Sequence, residues 1–197
     1  NVPVVVLDRN IESDTIDKIR IDDFKGGYEA CKHLIKTGYS KIVHFKGPSG
    51  IASAEDRKKG FMKCINNYSI EQKNVYIIQG CYMEKCGYNA MKTYLENNKL
   101  KTPVGIFAAN DAMAFGVLKY LKNNEINCPE EIGVVGFDNL DFADYSDPPL
   151  TTVKRPIKEI GKMAAEILME RLNDKKDHFN KTVKLDVKLV KRNSSSY

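Results

Sequence analysis

Short apolar runs recur along this chain, each closing on a glycine or a polar residue and each followed by residues at helical spacing. Residues 2–7 (VPVVVL), 41–45 (KIVHF), 74–78, 104–108 and 132–137 (IGVVGF) are of this kind. Near-continuous runs of that length suit strands buried on both faces. Between them, Asp22 and Asp23 offer N-cap chemistry for a helix that runs to Thr37 and stops at Gly38. Residues 55–68 carry Phe61, Ile65 and Tyr68 at helical spacing, and 84–97 and 111–123 read as helices. Residues 9–17 are polar and turn-like, 18–21 read as a short strand and 150–153 as extended chain. Residues 157–172 form a long amphipathic helix with Ile160, Ala164, Ile167, Leu168 and Leu172 on one side, and 183–190 alternate at strand period. The order predicts an α/β fold, a parallel sheet with helices on both faces and right-handed crossovers.

In such sheets a ligand sits outside the carboxyl ends of the strands. That rule selects Asp8, the loop 47–54, the turn 80–82, Asn110 with Asp111, and Asp138 with Asn139. Asp8, Arg57, Asn110 and Asp138 together offer two carboxylates, an amide and a guanidinium. Such a set suits a ligand with many hydroxyls, each of which donates and accepts. Tyr82 could present an apolar face to a ring. The competing reading of each residue is a cap or turn, since Asn and Asp are common at the ends of strands and helices. The set is one for binding: no nucleophile–base pair stands out.

Other kinds of chemistry find little support. With 42% hydrophobic and 29% charged residues, the 197-residue chain is not disordered, collagen-like or coiled-coil. Its net charge is +5, from 31 Lys and Arg against 26 Asp and Glu. From Thr151 onward 12 basic residues face 6 acidic ones, a net of +6, and the first 150 residues hold 19 against 20. The excess therefore lies in the last quarter and reads as a solvated helix face, because an arm gripping phosphates packs Lys and Arg more densely. No apolar run approaches the roughly 20 residues of a membrane span. No signal-peptide pattern opens the chain, and the first residue, Asn1, leads us to expect further residues upstream. The motifs GxGxxG, GxxxxGK[ST], GxSxG and HExxH are absent from the sequence. His33, His44 and His178 have no ligand spacing and are expected to be structural. The five cysteines, Cys31, Cys64, Cys81, Cys86 and Cys128, are odd in number and contain no CxxC pair, which argues against zinc. Free thiols in a reducing cytoplasm are expected, with Cys81 and Cys86 inert at a helix start. No cofactor and no enzymatic activity are expected, and Ser194–Ser196 read as a frayed end.

Taken in order, VPVVVLDR (2–9), GGYEACKHLIKTGYSKI (26–42), GPSG with DRKKGF (47–61), PVGIFAANDAMAFGVLKYL (103–121), EEIGVVGFDNLDFADYSDPPLTTVKRP (130–156) and LVKRNSS (189–195) carry a resemblance. The chain resembles the effector-binding region of the lactose-repressor and galactose-repressor family of bacterial transcription regulators. That resemblance implies a periplasmic-binding-protein type I-like fold, in which two α/β lobes joined by three chain crossings close on a small effector, usually a sugar. It implies that Arg57 contacts the effector, that Asn110 and Asp138 are polar contacts in the AND and FD motifs, and that Asp8 is the carboxylate after the LD strand. Tyr82 falls where an aromatic stacks on the sugar, and Ile21, Ile157 and Ile160 fall at cleft-lining positions. Against the family pattern, the DNA-binding headpiece, the hinge helix and the first elements of the N-lobe are expected upstream of Asn1. The division implied is an N-lobe remnant over 1–21, a nearly complete C-lobe over 22–153, an N-lobe helix over 154–181, and the C-lobe's final strand and tail over 182–197. The expected protein is a cytoplasmic, homodimeric repressor. It binds a small-molecule effector in the cleft and operator DNA through the headpiece alone, with a phosphoprotein corepressor as a further candidate partner and no membrane. The rival expectation is an exported sugar-binding protein of a transport or chemotaxis system.

Overall fold

The computed structural model describes residues 2–9, 11, 13, 15–98, 102–173 and 180–196. Among them the elements run β1 (Val5–Leu7), β2 (Asp17–Ile21), α1 (Asp23–Lys36), β3 (Lys41–Lys46), α2 (Ala52–Asn67), β4 (Val75–Gln79), α3 (Glu84–Asn97), β5 (Val104–Ala108), α4 (Asp111–Asn123), β6 (Ile132–Asp138), β7 (Thr151–Lys154), α5 (Ile157–Asn173), β8 (Thr182–Leu185) and β9 (Lys188–Val190). His178 lies outside the described residues.

Two sheets result. The larger has the order β4-β3-β5-β6-β7-β9 and is parallel except for β9, which runs antiparallel to β7. The smaller has the order β1-β2-β8 and is parallel throughout. Strand period places alternate side chains on opposite faces of the larger sheet. Ile42, Phe107, Val135 and Phe137 meet α1 and α2 on one face. Val43, Phe45, Ile106, Ala108 and Val134 meet α3 and α4 on the other. Both faces are dry, which explains why the strands read as apolar runs. His44 fits the same logic. It is fully buried, stacks between Phe61 and Phe107, and bonds the Phe107 carbonyl through Nδ1 at 3.0 Å. Burial pushes its pKa down to about 4, so the ring is neutral and structural. On the smaller sheet lies α5, tied down where Arg171 donates through two nitrogens to both oxygens of the buried Asp17, each at 2.8 Å.

Three expectations need correction. The first strand begins at Val5 rather than Val2, and Val2 and Val4 are exposed. Pro3 has no N–H to give a ladder. Residues 183–190 are two strands, not one: β8 joins β2 in the smaller sheet and β9 joins β7 in the larger. The change of partner falls at Asp186, whose carboxylate accepts from the Val187 N–H and pairs with Lys25 at 2.6 Å. Leu185 and Val187 are both buried, so the alternation of the sequence runs straight through the switch. Lastly, Ser194 and Ser195 are fully buried rather than frayed. Ser194 Oγ donates to the Val134 carbonyl at 2.6 Å and accepts from the Thr151 N–H, while Ser195 Oγ bonds His33 Nε2 at 2.9 Å.

Candidate functional site

Strand ends from both sheets converge on one open cavity of about 430 Å³, lined by Asp8, Arg9, Pro48, Ile51, Ser53, Arg57, Tyr82, Asn110, Asp138 and Arg155. Asp8 follows β1, Pro48 lies just past β3, Tyr82 lies between β4 and α3, Asn110 follows β5, Asp138 ends β6 and Arg155 follows β7. The backbone at this rim is unusual. Asp8 (φ +53°), Tyr82 (φ +67°), Asp138 (φ +118°) and Asn139 (φ +56°) all sit at positive φ. Non-glycine residues seldom adopt such angles, and they gather where a site must aim its side chains.

Arg57 is the most constrained of the charged groups. Although α2 carries it, only 5% of it is exposed. Its Nε donates to Asp23 at 2.8 Å, its Nη1 donates to the Ala109 carbonyl at 2.6 Å, and its guanidinium carbon lies 3.5 Å from the centre of the Phe137 ring. Two bonds and a stacking face fix the plane of the fork. Burial pushes the Asp23 carboxyl up, and Arg57 partly offsets the rise.

Asp138 and Asp8 face each other across Arg155. One Arg155 nitrogen pairs with Asp8, a second stands 3.5 Å from Asp138, and its Nε is buried with no hydrogen-bond partner among the described residues. Arg155 therefore bridges the two sheets. Burial pushes the Asp138 carboxyl up to about 7, a rise the nearby Arg57 only partly opposes. Beneath it, Asp111 holds the turn after β6: its carboxylate accepts from the Leu140 N–H at 2.8 Å and from the Thr152 hydroxyl at 2.5 Å. Burial raises its pKa to about 6.

Of the residues singled out in the sequence, Asp8, Arg57, Tyr82, Asn110 and Asp138 come together here. Asn110 is also a cap, as the competing reading had it. Its Oδ1 accepts from the Met113 N–H at 3.0 Å and its Nδ2 donates to the Tyr82 carbonyl at 2.9 Å. Ile21, Ile157 and Ile160 do not line the cavity. Ile21 and Ile160 are buried in the core cluster that also holds Ile19, Ile167 and Leu185, and Ile157 is 56% exposed at the start of α5. Their side chains serve packing or meet solvent. The sequence reading passed over Arg155 and Arg9, whereas Pro48, Ile51 and Ser53 lie in the loop 47–54 that the strand-end rule selected. Arg155 could have been found, because it follows a strand end as the others do.

The cysteine expectation also changes. Cys81 and Cys86 form a disulfide with Cα atoms 5.8 Å apart, whereas Cys31, Cys64 and Cys128 are free. The left-handed turn at Tyr82 and the start of α3 bring the two sulfurs together, a spacing outside the CxxC pattern. Among the described residues no group of three or more His, Cys, Asp or Glu side chains could hold a metal, and no helix is long and apolar enough to cross a membrane.

Comparison with known proteins agrees with this architecture. A family model described as periplasmic binding protein-like domain matches residues 31–195. A transcriptional repressor of Vibrio atlanticus named PurR is 36% identical over 194 residues, covering 98% of this chain and 57% of its own. A probable repressor of Bacillus subtilis, ExuR, is 33% identical over 174 residues, 88% of this chain and 52% of its own. The chain thus spans little more than half the length of these relatives. Among solved structures, a LacI family regulator of Enterococcus faecium with bound ribose superposes with a TM-score of 0.89 at 29% identity, covering 98% of this chain and 70% of the other. A complex of the regulator CelR with cellobiose gives 0.87 at 27% identity, covering 98% and 59%. With two sheets meeting at a polar cleft and relatives of this kind across nearly its whole length, the chain belongs to the periplasmic-binding-protein-like effector-binding domains of the LacI family of transcriptional regulators.

Proposed function

We propose that this chain is the effector-sensing part of a DNA-binding repressor and that it takes a sugar or a sugar-like molecule in the cavity between its two sheets. The observation that carries this reading is the convergence of Asp8, Asp138 and Arg155 from three strand ends, and of Arg57 from within α2, onto one cavity. Fixed donors alternate there with carboxylate acceptors, which a small molecule rich in hydroxyl groups can satisfy in both directions. Arg57 and Asp138 are the anchors, Asp8 adds an acceptor from the smaller sheet, and Tyr82 supplies the apolar wall. The structural relatives that hold ribose and cellobiose support the ligand class. In this reading residues 22–153 and β9 belong to one lobe and β1, β2, α5 and β8 to its partner, so the expected boundary at 182 moves to the switch at Asp186, since β8 pairs with β2.

The effector acts by preferring one arrangement of the two sheets. Only its differential affinity for the two arrangements can move the equilibrium between them. Operator binding then belongs to a headpiece outside this chain, dimerisation to a second copy, and no catalytic step is involved. Titration calorimetry with a panel of pentoses, hexoses and disaccharides tests the site. A sugar that binds the chain is expected to lose at least tenfold in affinity in both Arg57→Ala and Asp138→Ala. Unchanged affinity in both variants would refute the assignment.

A further inference from the structure

The disulfide takes no part in the charge chemistry of the cavity, yet it fixes one of its walls. Joining Cys81 to Cys86, five positions apart, it closes a small ring around Tyr82, Met83, Glu84 and Lys85. Tyr82 is the member of that ring that reaches the cavity. It holds a φ of +67°, a conformation a tyrosine rarely adopts. Its place in the wall depends on that conformation. The Tyr82 carbonyl accepts from Asn110 Nδ2, its hydroxyl lies 3.2 Å from Ser53 Oγ, and its ring stands 6.0 Å from the Arg57 guanidinium carbon. The ring also covers Gly47, where a Cβ would lie 2.4 Å from Tyr82 Cε1. Met83, Glu84 and Lys85 are exposed and both cysteines are half-buried, so a thiol in solution can reach the bond.

We propose that Cys81–Cys86 is a thiol–disulfide modification site that decides whether the Tyr82 wall of the effector cavity is held or released, with a dithiol as its co-reactant. The inference rests on the reading of the cavity as an effector site. One thiolate of the dithiol attacks Cys81 Sγ, and the Cys81–Cys86 bond breaks with its electron pair going to Cys86 Sγ, which takes up a proton. The second thiol of the reductant then displaces Cys81 as a thiol, and the reductant leaves as a cyclic disulfide. Two electrons pass to the protein's sulfurs, and the reverse exchange with a disulfide restores the ring. Cys86 stands in the first turn of α3, where the helix N-terminus stabilises the departing thiolate. Opening so small a ring returns conformational freedom to the segment, worth roughly an order of magnitude or more in the population of the held form.

Hydrogen exchange on this chain before and after treatment with dithiothreitol, and on the double variant Cys81→Ser/Cys86→Ser, reads the effect directly. Reduction is expected to speed exchange about tenfold or more in residues 47–53 and 80–88 and to leave 132–138 unchanged. The double variant should match the reduced chain and ignore the reductant. Unchanged exchange on reduction, or alkylation of both cysteines by iodoacetamide in protein never exposed to reductant, would overturn the proposal. Calorimetry with D-ribose and with cellobiose supplies the second arm. Binding weaker by on the order of tenfold in the reduced chain supports the proposal, and equal binding in both states overturns it. If neither sugar binds in either state while exchange still responds, the held wall stands and the sugar reading of the cavity falls.

Discussion

At neutral pH the Asp138 carboxyl stands near the middle of its titration, since burial pushes it up to about 7. In the unfolded chain the same group ionises near 3.8. Between those values the folded form holds more protons than the unfolded one, so this group's contribution to stability falls as pH rises from 4 to 7. Asp138→Asn is therefore expected to flatten the stability profile across that window and to raise the melting temperature at pH 8, by no more than about 2 kcal/mol of stability once partial exposure is allowed for. Thermal melts over a pH series check this, and the same variant should lose sugar affinity. Arg57 behaves in the opposite sense. Removing it strands the buried Asp23, so Arg57→Ala should cost about 3–5 kcal/mol in denaturant melts. Arg57→Lys should fail to restore sugar binding, because an ammonium cannot reproduce the stacked fork. The sequence made the strand-end carboxylates legible because their chemistry is local: a polar group directly follows an apolar run. It did not show that both ends of the Asn110 amide are taken up internally, or that Arg155 spans two sheets, because those are matters of tertiary distance.

The helices α1 and α2 approach backbone to backbone at glycine. A Cβ on Gly27 would lie 2.1 Å from the carbonyl oxygen of Arg57 itself, and one on Gly60 would lie 1.9 Å from that of Phe24. Gly27→Ala should cost about 1–3 kcal/mol or more in denaturant melts and should also weaken sugar binding, since the residue it displaces is the site's fixed donor. Gly161 in α5 is the contrast. Nothing lies within 4 Å of its added Cβ, so Gly161→Ala should stabilise the chain by about 0.5–1 kcal/mol and leave the cavity untouched. The existence and type of each long element could be read from periodicity, and their bounds moved by a few residues at most. Partner choice could not. Residues 182–190 keep one alternating pattern while the chain changes sheets at Asp186, and the buried seat of Ser194 depends on Val134, 60 positions away.

For the molecule as a whole, the unequal sheets matter. The smaller one has only three strands, and α5 above it leaves Ile157, Leu168, Met169 and Leu172 at 36–56% exposure. Apolar surface of that extent on a small sheet draws partners. Light scattering after size exclusion is expected to show this chain self-associated, and a clean monomer would contradict that expectation. The charge does not follow α5, which balances Lys158, Lys162 and Arg171 against Glu159, Glu166 and Glu170: the net +6 from Thr151 onward comes from Lys154 and Arg155 and from residues 181–192, not from the solvated helix face expected from the sequence. No sequence-specific DNA binding by this chain is expected in a gel-shift assay.

The chain passes between the sheets at three places: from β2 into α1, from β7 into α5, and from β8 into β9. These passages lie side by side. The Asp22 N–H donates to the Leu185 carbonyl at 2.9 Å, and Lys154 sits opposite Lys188 in the β7–β9 ladder. Three parallel straps resist twisting and sliding and leave one easy movement, a bend about the line they share. A molecule caught between the sheets would then spend its preference on a single angle between them.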